Sequence, residues 1–395
     1  MLDDRTATTA RPTILVSDPG ALHAERAGDI AAAVAGVLRG GRYVLGPEVE
    51  AFEHDFAARF GFRSAIGVAN GTDGLELALR AVGLPEGGRV AVPALTAAAT
   101  AAAVVRAGYE PAFVDIEPMS FNLDARALGR ACVAALSGRR IVAVVPVHLY
   151  GRPCDMAGVM AAAREHSLEV IEDCSQSHGA TIDGRPVGTF GRVAAFSCYP
   201  TKNLGALGDA GVVGTLETGI AERVRLLRQY GWRQRQVSVE VGMNSRLDDL
   251  QAAILRVQLR HLDADNARRE RIASRYETGL AASMSGGIRL PDRIPGHVHH
   301  QYTIRCIDEG VGGASRRDRL AGHLAREGIM SAVLYPVPLH LQPAYAPFQD
   351  PVFAPCTVAE KTCRDLLCLP MHPSLTDEAI DRVIEAVRSF PGTPA

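Results

Sequence analysis

Lys202 is the residue of this sequence best suited to covalent chemistry. It stands in the stretch AAFSCYPTKNLGALGDAGVVG, a glycine-rich loop after a short apolar run, with Ser197 and Thr201 beside it. A lysine amine that is desolvated or near other cations becomes a nucleophile and forms Schiff bases with carbonyl compounds. Loop lysines are usually only solvated, but the glycines here let the backbone approach a ligand closely. Because these glycines follow the lysine and do not spell G-x-G-x-x-G, a dinucleotide site is disfavoured.

A second stretch, LEVIEDCSQSHGA, is an apolar strand that ends in Glu172 and Asp173. A carboxylate at the carboxyl end of a strand can hold a positively charged ring nitrogen, which would otherwise lose its proton on burial. An acidic pair after a strand is equally compatible with a helix cap. This stretch alone leaves both interpretations open.

A third stretch, VANGTDGLELALRAVG, passes through Asn70 and Gly71 into a helix that begins at Thr72 or Asp73. The free N–H groups of a helix amino terminus form a phosphate site, although an ordinary Thr or Asp cap is the commoner explanation for one isolated turn. In chain order the three stretches supply a phosphate turn, a strand-end carboxylate and a loop lysine. One cofactor, pyridoxal phosphate, requires all three, for its phosphate, its ring nitrogen and its aldehyde.

The elements that position these stretches alternate in type through the first two-thirds of the chain. Apolar β-branched runs alternate with Ala- and Leu-rich segments of helical period, which predicts an α/β fold with a mostly parallel sheet covered by helices. Ligands of such sheets bind at the carboxyl ends of the strands. The predicted strands are residues 64–68, 89–92, 110–114, 141–147, 168–171 and 193–197, and the predicted helices are 72–82, 97–106, 156–166 and 220–229.

The last third of the chain has a different pattern. From Arg246 a charged segment with apolar residues at helical spacing predicts a long amphipathic helix that packs against a core or a partner. A less regular linker, 283–296, precedes a small α+β domain, with strands at 300–306 and 331–335 and helices at 317–327 and 377–389. We divide the chain into a large domain over residues 1–265, which includes the long helix, and a small domain over residues 266–395.

Composition excludes several classes of protein. With 42 basic and 44 acidic residues the net charge is -2, so no field attracts nucleic acid or an anionic membrane. The first residues show no signal peptide and no apolar run long enough to span a bilayer, which predicts a cytoplasmic protein. The eight cysteines are scattered without a C-x-x-C pair, so we expect reduced structural thiols and no metal site.

Six segments resemble the DegT/StrS-type sugar aminotransferases, a family with the fold of aspartate aminotransferase, which is fold type I of the pyridoxal-phosphate-dependent transferases. The resemblance runs from about Leu45 to the end of the chain and implies a large domain with a mostly parallel sheet and a smaller α+β domain. The segments are NGTDGLELAL, PVHLYGRPCDM, VIEDCSQSHGA, FSCYPTKNLGALGDAG, GMNSRLDDLQAAILRVQLRHLD and YPVPLHLQPAY.

The resemblance implies a role for each residue that matches the family's motifs. Lys202 would hold the cofactor as a Schiff base and move the proton between substrate carbon and cofactor. Asp173 would pair with the ring nitrogen, and Gln176 would bind the ring hydroxyl. Asn244 would reach the phosphate of the partner subunit, which implies a homodimer with shared active sites. The phosphate ligands within the chain would be Gly71, Thr72 and Ser197.

The substrate entrance is implied less directly. Four residues match segments near it, although histidines and tyrosines of this kind are more often core residues. They are His300, Tyr302, Tyr335 and His340. The sequence also departs from the family pattern: Ala97 replaces an aromatic residue that stacks on the cofactor ring, Cys198 a phenylalanine and Met243 a tyrosine.

The implied activity is transfer of an amino group from glutamate or glutamine to a nucleotide-linked keto-deoxysugar of antibiotic or other secondary metabolism. An aminocyclitol ketone is an alternative acceptor. A sugar dehydratase on the same scaffold is a second alternative, but in dehydratases of the family a histidine typically replaces the lysine found here. A regulator that binds the cofactor or a sugar without turnover is a third; fewer than about fifty residues precede the matched region, short for a DNA-reading domain, and no basic recognition helix is present.

Overall fold

The structure is a computed structural model that describes residues 12–135, 140–281, 283, 287–308, 315–350 and 353–391. Part of the predicted linker, 284–286, and the first eleven residues lie outside the described residues. The helices are α1 Pro19–Ala24, α2 Ala27–Gly40, α3 Pro47–Phe60, α4 Gly71–Val82, α5 Ala98–Arg106, α6 Ala125–Ala134, α7 Met156–His166, α8 Thr218–Leu227, α9 Asp249–Leu280, α10 Arg316–Arg326, α11 Thr357–Asp365 and α12 Asp377–Arg388. The strands are β1 Ser64–Val68, β2 Arg89–Pro93, β3 Glu110–Val114, β4 Ile141–Val144, β5 Glu169–Asp173, β6 Thr181–Ile182, β7 Arg185–Pro186, β8 Val193–Ser197, β9 Gly211–Thr215, β10 Trp232–Gln234, β11 Val237–Ser238, β12 Ile288–Arg289, β13 Tyr302–Cys306 and β14 Leu366–Leu369.

A seven-stranded sheet with the order β1-β9-β8-β5-β4-β2-β3 forms the centre of the molecule. Only β9 runs against its neighbours β1 and β8, and the other paired strands are parallel. This confirms the predicted α/β fold, and the predicted strands 64–68, 110–114 and 193–197 match end to end. The predicted strand 141–147 ends at Val144, because Pro146 has no N–H group for the ladder.

The sheet brings the three chemically promising stretches to one edge. β1, β5 and β8 end there, and Val68 and Ser197 both lie opposite Gly211, the first residue of β9. We did not predict β9, since its glycines mask a strand. A Cβ on Gly211 would lie 2.5 Å from the backbone carbon of Asn70, so glycine is required where the chain passes the phosphate turn.

Packing on the two faces of the sheet fixes its position. On one face α3 places Phe52, Phe56 and Phe60 at helical spacing, all fully buried, and the rings of Phe56 and Phe60 pack against Phe196 of β8. Each such buried ring contributes about 2–3 kcal/mol of hydrophobic stabilisation. On the other face α4 packs against α5 and α8. The strand that leads to Lys202 is therefore held rigidly between two apolar layers.

The small domain is built on the antiparallel sheet β12-β13-β14. Its core includes Tyr302, Leu320 and Val383, together with Ile272 and Tyr276 from the second half of α9. The predicted long helix is thus confirmed over Asp249–Leu280, and residue 265 lies inside it. The predicted strand at 331–335 is wrong: only Ala332 pairs, with Cys368, as an isolated bridge. The segment runs into Pro336 and Pro338, which cannot extend a ladder.

Among the described helices none combines the length and apolarity that a bilayer crossing needs. α9 spans 32 residues, but charged side chains recur along it. All eight cysteines are buried and unpaired, as expected for structural thiols.

Candidate active site

Lys202 faces a cavity of about 330 Å³ at the carboxyl edge of the sheet. The loop after β8 turns so that the backbone N–H of Lys202 donates to the backbone carbonyl of Tyr199 at 2.8 Å. Burial lowers the pKa of the Lys202 amine, while the nearby charge of Asp173 opposes that shift. A lysine with a lowered pKa supplies more of the neutral amine that attacks a carbonyl carbon. The structure therefore gives this lysine the environment that a Schiff base requires.

Asp173 is the last residue of β5 and lines the same cavity. Its side chain is buried, and its two oxygens accept hydrogen bonds from the Thr100 hydroxyl at 2.9 Å and from the Ser175 N–H at 3.1 Å. Each oxygen keeps a further lone pair, so the carboxylate is able to accept from a ring N–H as well. Lys202 and Asp173 are thus brought together at one pocket, as the sequence predicted.

Glu172 has a structural role on the opposite side of the strand. Successive strand residues point to opposite faces, and the buried Glu172 carboxylate accepts from the N–H groups of Gly188, Phe190 and Gly191 at 2.6–2.8 Å. His148 adds a contact of 3.1 Å through Nε2, because its Nδ1 accepts from the Cys154 N–H. The acidic pair is therefore not a helix cap.

His148 and Glu172, with Cys174, are also the one group among the described residues whose ligand atoms lie close enough together to hold a metal ion. Hydrogen bonds already engage both ring nitrogens of His148 and both carboxylate oxygens of Glu172. The group therefore fits a structural latch for the loop at 188–191 better than a metal site.

The phosphate turn lies at the start of α4. Asn70 caps the helix by accepting from the Asp73 N–H at 2.8 Å, so α4 begins at Gly71, one residue before the predicted start. A Cβ on Gly71 would lie 2.6 Å from the Ser197 Cβ and 3.0 Å from its Cα. Glycine therefore allows this helix end, with its free N–H groups, to sit directly against the Ser197 hydroxyl. The cradle fits a phosphate group.

Gly71→Ala is expected to weaken cofactor phosphate binding, because the added methyl group pushes the turn away from Ser197. We expect a loss of affinity of at least about tenfold, comparable to one charge-assisted hydrogen bond. Equilibrium dialysis with pyridoxal phosphate measures it. Gly74→Ala is the matched control on the same helix, since its Cβ would meet neighbours at an ordinary 3.5 Å. Equal affinities of the two variants would contradict the role of Gly71.

Gln176 connects the cavity to the small domain. Its side-chain oxygen accepts from the Tyr150 N–H at 2.7 Å, and its amide nitrogen donates to the Tyr335 hydroxyl at 2.8 Å. Tyr150 has φ 58°, which turns its N–H toward Gln176. Burial raises the pKa of Tyr335, so that its hydroxyl stays neutral and keeps a proton to donate. Gln176 is therefore fixed in the pocket wall, and Tyr335 lies directly behind it.

The other predicted site residues lie at different depths. His300 is buried, and the charge of Lys202 adds to burial in lowering its pKa. Tyr302 is wholly buried in the small-domain core, where its ring packs 5.0 Å from that of Tyr276. His340 lines a separate cavity and contacts Glu360 at 3.1 Å. Asn244 is exposed and does not line the pocket of its own chain.

Three positions depart from the family pattern, and Ala97 among them lines the pocket. Ala97 is half-buried in the cavity wall beside Ala99, so small side chains form that part of the lining. Cys198 is buried 3.9 Å from the Nε2 atom of His178. Met243 is partly buried and packs against the hydrophobic core that contains α4. Sequence reasoning missed Thr100, although a hydroxyl four residues after Thr96 in an Ala-rich helix was an available signal.

Four buried histidines make the fold sensitive to acid. Burial lowers the pKa of His178 to about 3 and that of His372 to about 4, and it lowers those of His297 and His300 well below the usual value. These imidazoles stay neutral in the folded state, whereas in the unfolded state they take up protons below about pH 6.5. Their stabilisation is therefore complete above that pH and is lost as the pH falls.

We expect the free energy of unfolding to fall below pH 6.5 by up to about 1.4 kcal/mol per pH unit for each of these histidines. Urea unfolding at pH 7.5, 6.0 and 5.0 measures the slope. His178→Asn should reduce the slope by one proton relative to the wild type. A slope unchanged from that of the wild type would show that His178 takes up its proton in the folded state.

Comparison with known proteins agrees with this geometry. A transaminase of Streptomyces venezuelae, dTDP-3-amino-3,4,6-trideoxy-alpha-D-glucose transaminase, is 42% identical over 381 residues, which is 96% of each chain. The crystal structure of S. venezuelae DesV with a ketimine intermediate superposes with a TM-score of 0.89 at 42% identity, over 96% of this chain and 98% of that one. The structure of NtdA from Bacillus subtilis with bound cofactor PMP gives a TM-score of 0.82 at 31% identity, over 92% of this chain and 81% of that one.

Fold and pocket together define a pyridoxal-phosphate-dependent aminotransferase of fold type I. The chain belongs to the DegT/DnrJ/EryC1/StrS aminotransferase family, whose model matches residues 25–388. The lysine, the carboxylate and the phosphate cradle around the cavity are the residues that fit this cofactor.

Proposed function

We propose that this enzyme transfers an amino group from glutamate or glutamine to the ketone of a nucleotide-linked deoxysugar in antibiotic or other secondary metabolism. The observation that carries the proposal is that Lys202, Asp173 and the turn at Gly71 line one cavity. The similarity to a dTDP-amino-sugar transaminase over 96% of the chain supports the class of acceptor. The presence of lysine at position 202 favours transamination over the dehydratase alternative.

When bound, pyridoxal phosphate would supply the electron sink that stabilises negative charge on the substrate carbon. Lys202 would hold the cofactor and, as general base and acid, would move the proton between the substrate carbon and the cofactor. Asp173 would hold the ring nitrogen in its protonated form. Gln176, fixed by Tyr150 and Tyr335, would orient the ring hydroxyl.

The remaining predicted site residues would bind the phosphate or shape the substrate entrance. Gly71, Thr72 and Ser197 would bind the phosphate and so keep the cofactor in the pocket throughout the reaction. His300 and Tyr335 stand near the pocket and would shape the substrate entrance. Tyr302 and His340 would act there only indirectly, since one lies in a core and the other in a separate cavity.

We propose that the enzyme is a homodimer in which Asn244 completes the partner's phosphate site. Asn244 is exposed and does not line the pocket of its own chain, so it is available to a partner subunit. Large apolar side chains are also exposed, with Tyr199 of the pocket wall at 51%, Leu207 at 48% and Tyr43 at 49%. A second subunit would cover them.

The large domain, residues 1–265, and the small domain, residues 266–395, would share α9. Eight reduced thiols support a cytoplasmic location.

Incubation of the purified enzyme with a panel of nucleotide 3-keto and 4-keto deoxysugars and ¹⁵N-labelled donors tests the proposal, with mass spectrometry as the readout. The expected product gains one ¹⁵N atom from glutamate or glutamine. A product that has lost water and carries no ¹⁵N would indicate the dehydratase. Incorporation of ¹⁵N into a keto-cyclitol, but into none of the nucleotide sugars, would indicate the aminocyclitol aminotransferase. A cofactor-loaded protein that labels no ketone in the panel would contradict transamination.

A further inference from the structure

Two threonine hydroxyls form a chain of hydrogen bonds behind Asp173. The Thr100 hydroxyl lies 2.9 Å from one carboxylate oxygen of Asp173, and the Thr96 hydroxyl lies 3.3 Å from that of Thr100. All three side chains are buried, with Thr100 only 1% exposed. Thr100 lies in the first turn of α5, and Thr96 lies in the segment that leads into this helix.

The chemistry of the groups fixes the direction of this chain. An ionised carboxylate only accepts hydrogen bonds, so the single proton of the Thr100 hydroxyl points at Asp173. Thr100 then has only lone pairs left for its other neighbour. The Thr96 hydroxyl must therefore be the donor in its contact with Thr100. Each donor polarises the next, which strengthens the bond that reaches the carboxylate.

Position adds to the effect of the hydroxyl chain. Thr100 lies in the first turn of α5, a nine-residue helix whose amino end carries partial positive charge, and Thr96 precedes the helix by two residues. Ser175 donates its N–H to the other oxygen of Asp173 at 3.1 Å. Thr100 and Ser175 therefore each occupy a lone pair on a different oxygen of Asp173, and the lone pairs that remain are available to a ligand in the cavity.

We infer that Thr100, supported by Thr96, is a positioning residue that holds the Asp173 carboxylate in one orientation, directed toward the cofactor ring nitrogen. The inference rests on the proposed role of Asp173. A carboxylate held in one orientation meets a protonated ring nitrogen with better-aligned geometry, so the charge pair is stronger and the ring holds its proton to higher pH. Loss of the Thr100 hydroxyl removes one hydrogen bond to a charged group, which corresponds to about one to two pH units of ring titration.

Nitrogen NMR of the holoenzyme loaded with ring-¹⁵N pyridoxal phosphate reads this proton directly. We expect the ring nitrogen of Thr100→Val, which keeps the shape of threonine without its hydroxyl, to lose its proton about one to two pH units below that of the wild type. Thr100→Ser restores the hydroxyl and should titrate like the wild type. Thr96→Val leaves the bond to Asp173 in place and should give a smaller shift in the same direction.

A purely structural role for Thr100 would lower the melting temperature of Thr100→Val without moving the nitrogen titration, and that result overturns the inference. Asp173→Asn provides the reference in which the ring proton is lost. If Asp173→Asn titrates like the wild type, both the inference and the proposed role of Asp173 are wrong. If only the threonine variants titrate like the wild type, the inference alone fails. Should Thr100→Val not fold, Thr96→Val decides, because it does not touch the carboxylate.

Discussion

Lys202→Ala is expected to abolish multiple turnover, with a fall in kcat of about 10⁴-fold or more. The amine has two tasks, attachment to the cofactor and transfer of a proton, and alanine performs neither. The lowered pKa of Lys202 indicates that burial tunes this amine for both. Steady-state kinetics measure the loss of turnover. The absorbance of bound cofactor in the visible range should disappear at the same time.

The chain offers a matched control, because it contains only two lysines. Lys361 is exposed on α11, so Lys361→Ala should keep wild-type turnover and absorbance. Borohydride reduction of the loaded enzyme followed by peptide mass spectrometry should place the cofactor on the Lys202 peptide alone. Turnover and visible absorbance that both survive in Lys202→Ala would rule out the assignment.

Asp173→Ala is expected to have the second largest effect, a loss of about 10²–10⁴-fold in kcat. Removal of one partner from a buried charge pair costs about 3–5 kcal/mol, and here the unpaired partner would be the ring nitrogen. The ring would then lose its proton and with it most of its ability to accept electrons. Single-turnover kinetics with the amino donor measure this step without interference from product release.

Glu172→Gln is the control for Asp173→Ala. It changes the neighbouring carboxylate, which holds the loop at 188–191 from the other side of β5. We expect Glu172→Gln to lower the melting temperature while the half-reaction of the folded enzyme stays close to that of the wild type. If the two variants lose the half-reaction equally, Asp173 has no special relation to the cofactor.

The sequence predicted the centre of the site better than its periphery. Strands rich in valine and alanine are recognisable because both of their faces are buried, and the loops after them carry Lys202 and Asp173 to the same edge of the sheet. We did not predict β9, because its glycines, one of which allows the close approach of the phosphate turn, weaken the strand pattern. We did not predict a role for Thr100, because that role depends on its position beside the end of β5. Local periodicity predicts strands but not their order in the sheet.

The aromatic and histidine positions show the limit of motif matching. Tyr302 and His340 stand in segments that resemble the substrate entrance, yet one fills a core and the other lines a different cavity. Burial of a ring is favourable at many places in a fold, so the type of residue does not identify its neighbours. The helix start at Gly71 was misplaced by one residue for a similar reason, because Asn70, Thr72 and Asp73 are all competent caps.

Helix α9 has a mechanical consequence for catalysis. At 32 residues it is a rod about 48 Å long, anchored at one end beneath the central sheet and at the other in the small-domain core. A continuous helix resists bending, so the large domain and the small domain cannot rotate freely about this connection. Closure over a substrate would therefore be a small tilt of the small domain relative to the large domain. A substitution that stiffens or kinks α9 far from the pocket would change the rate of product release.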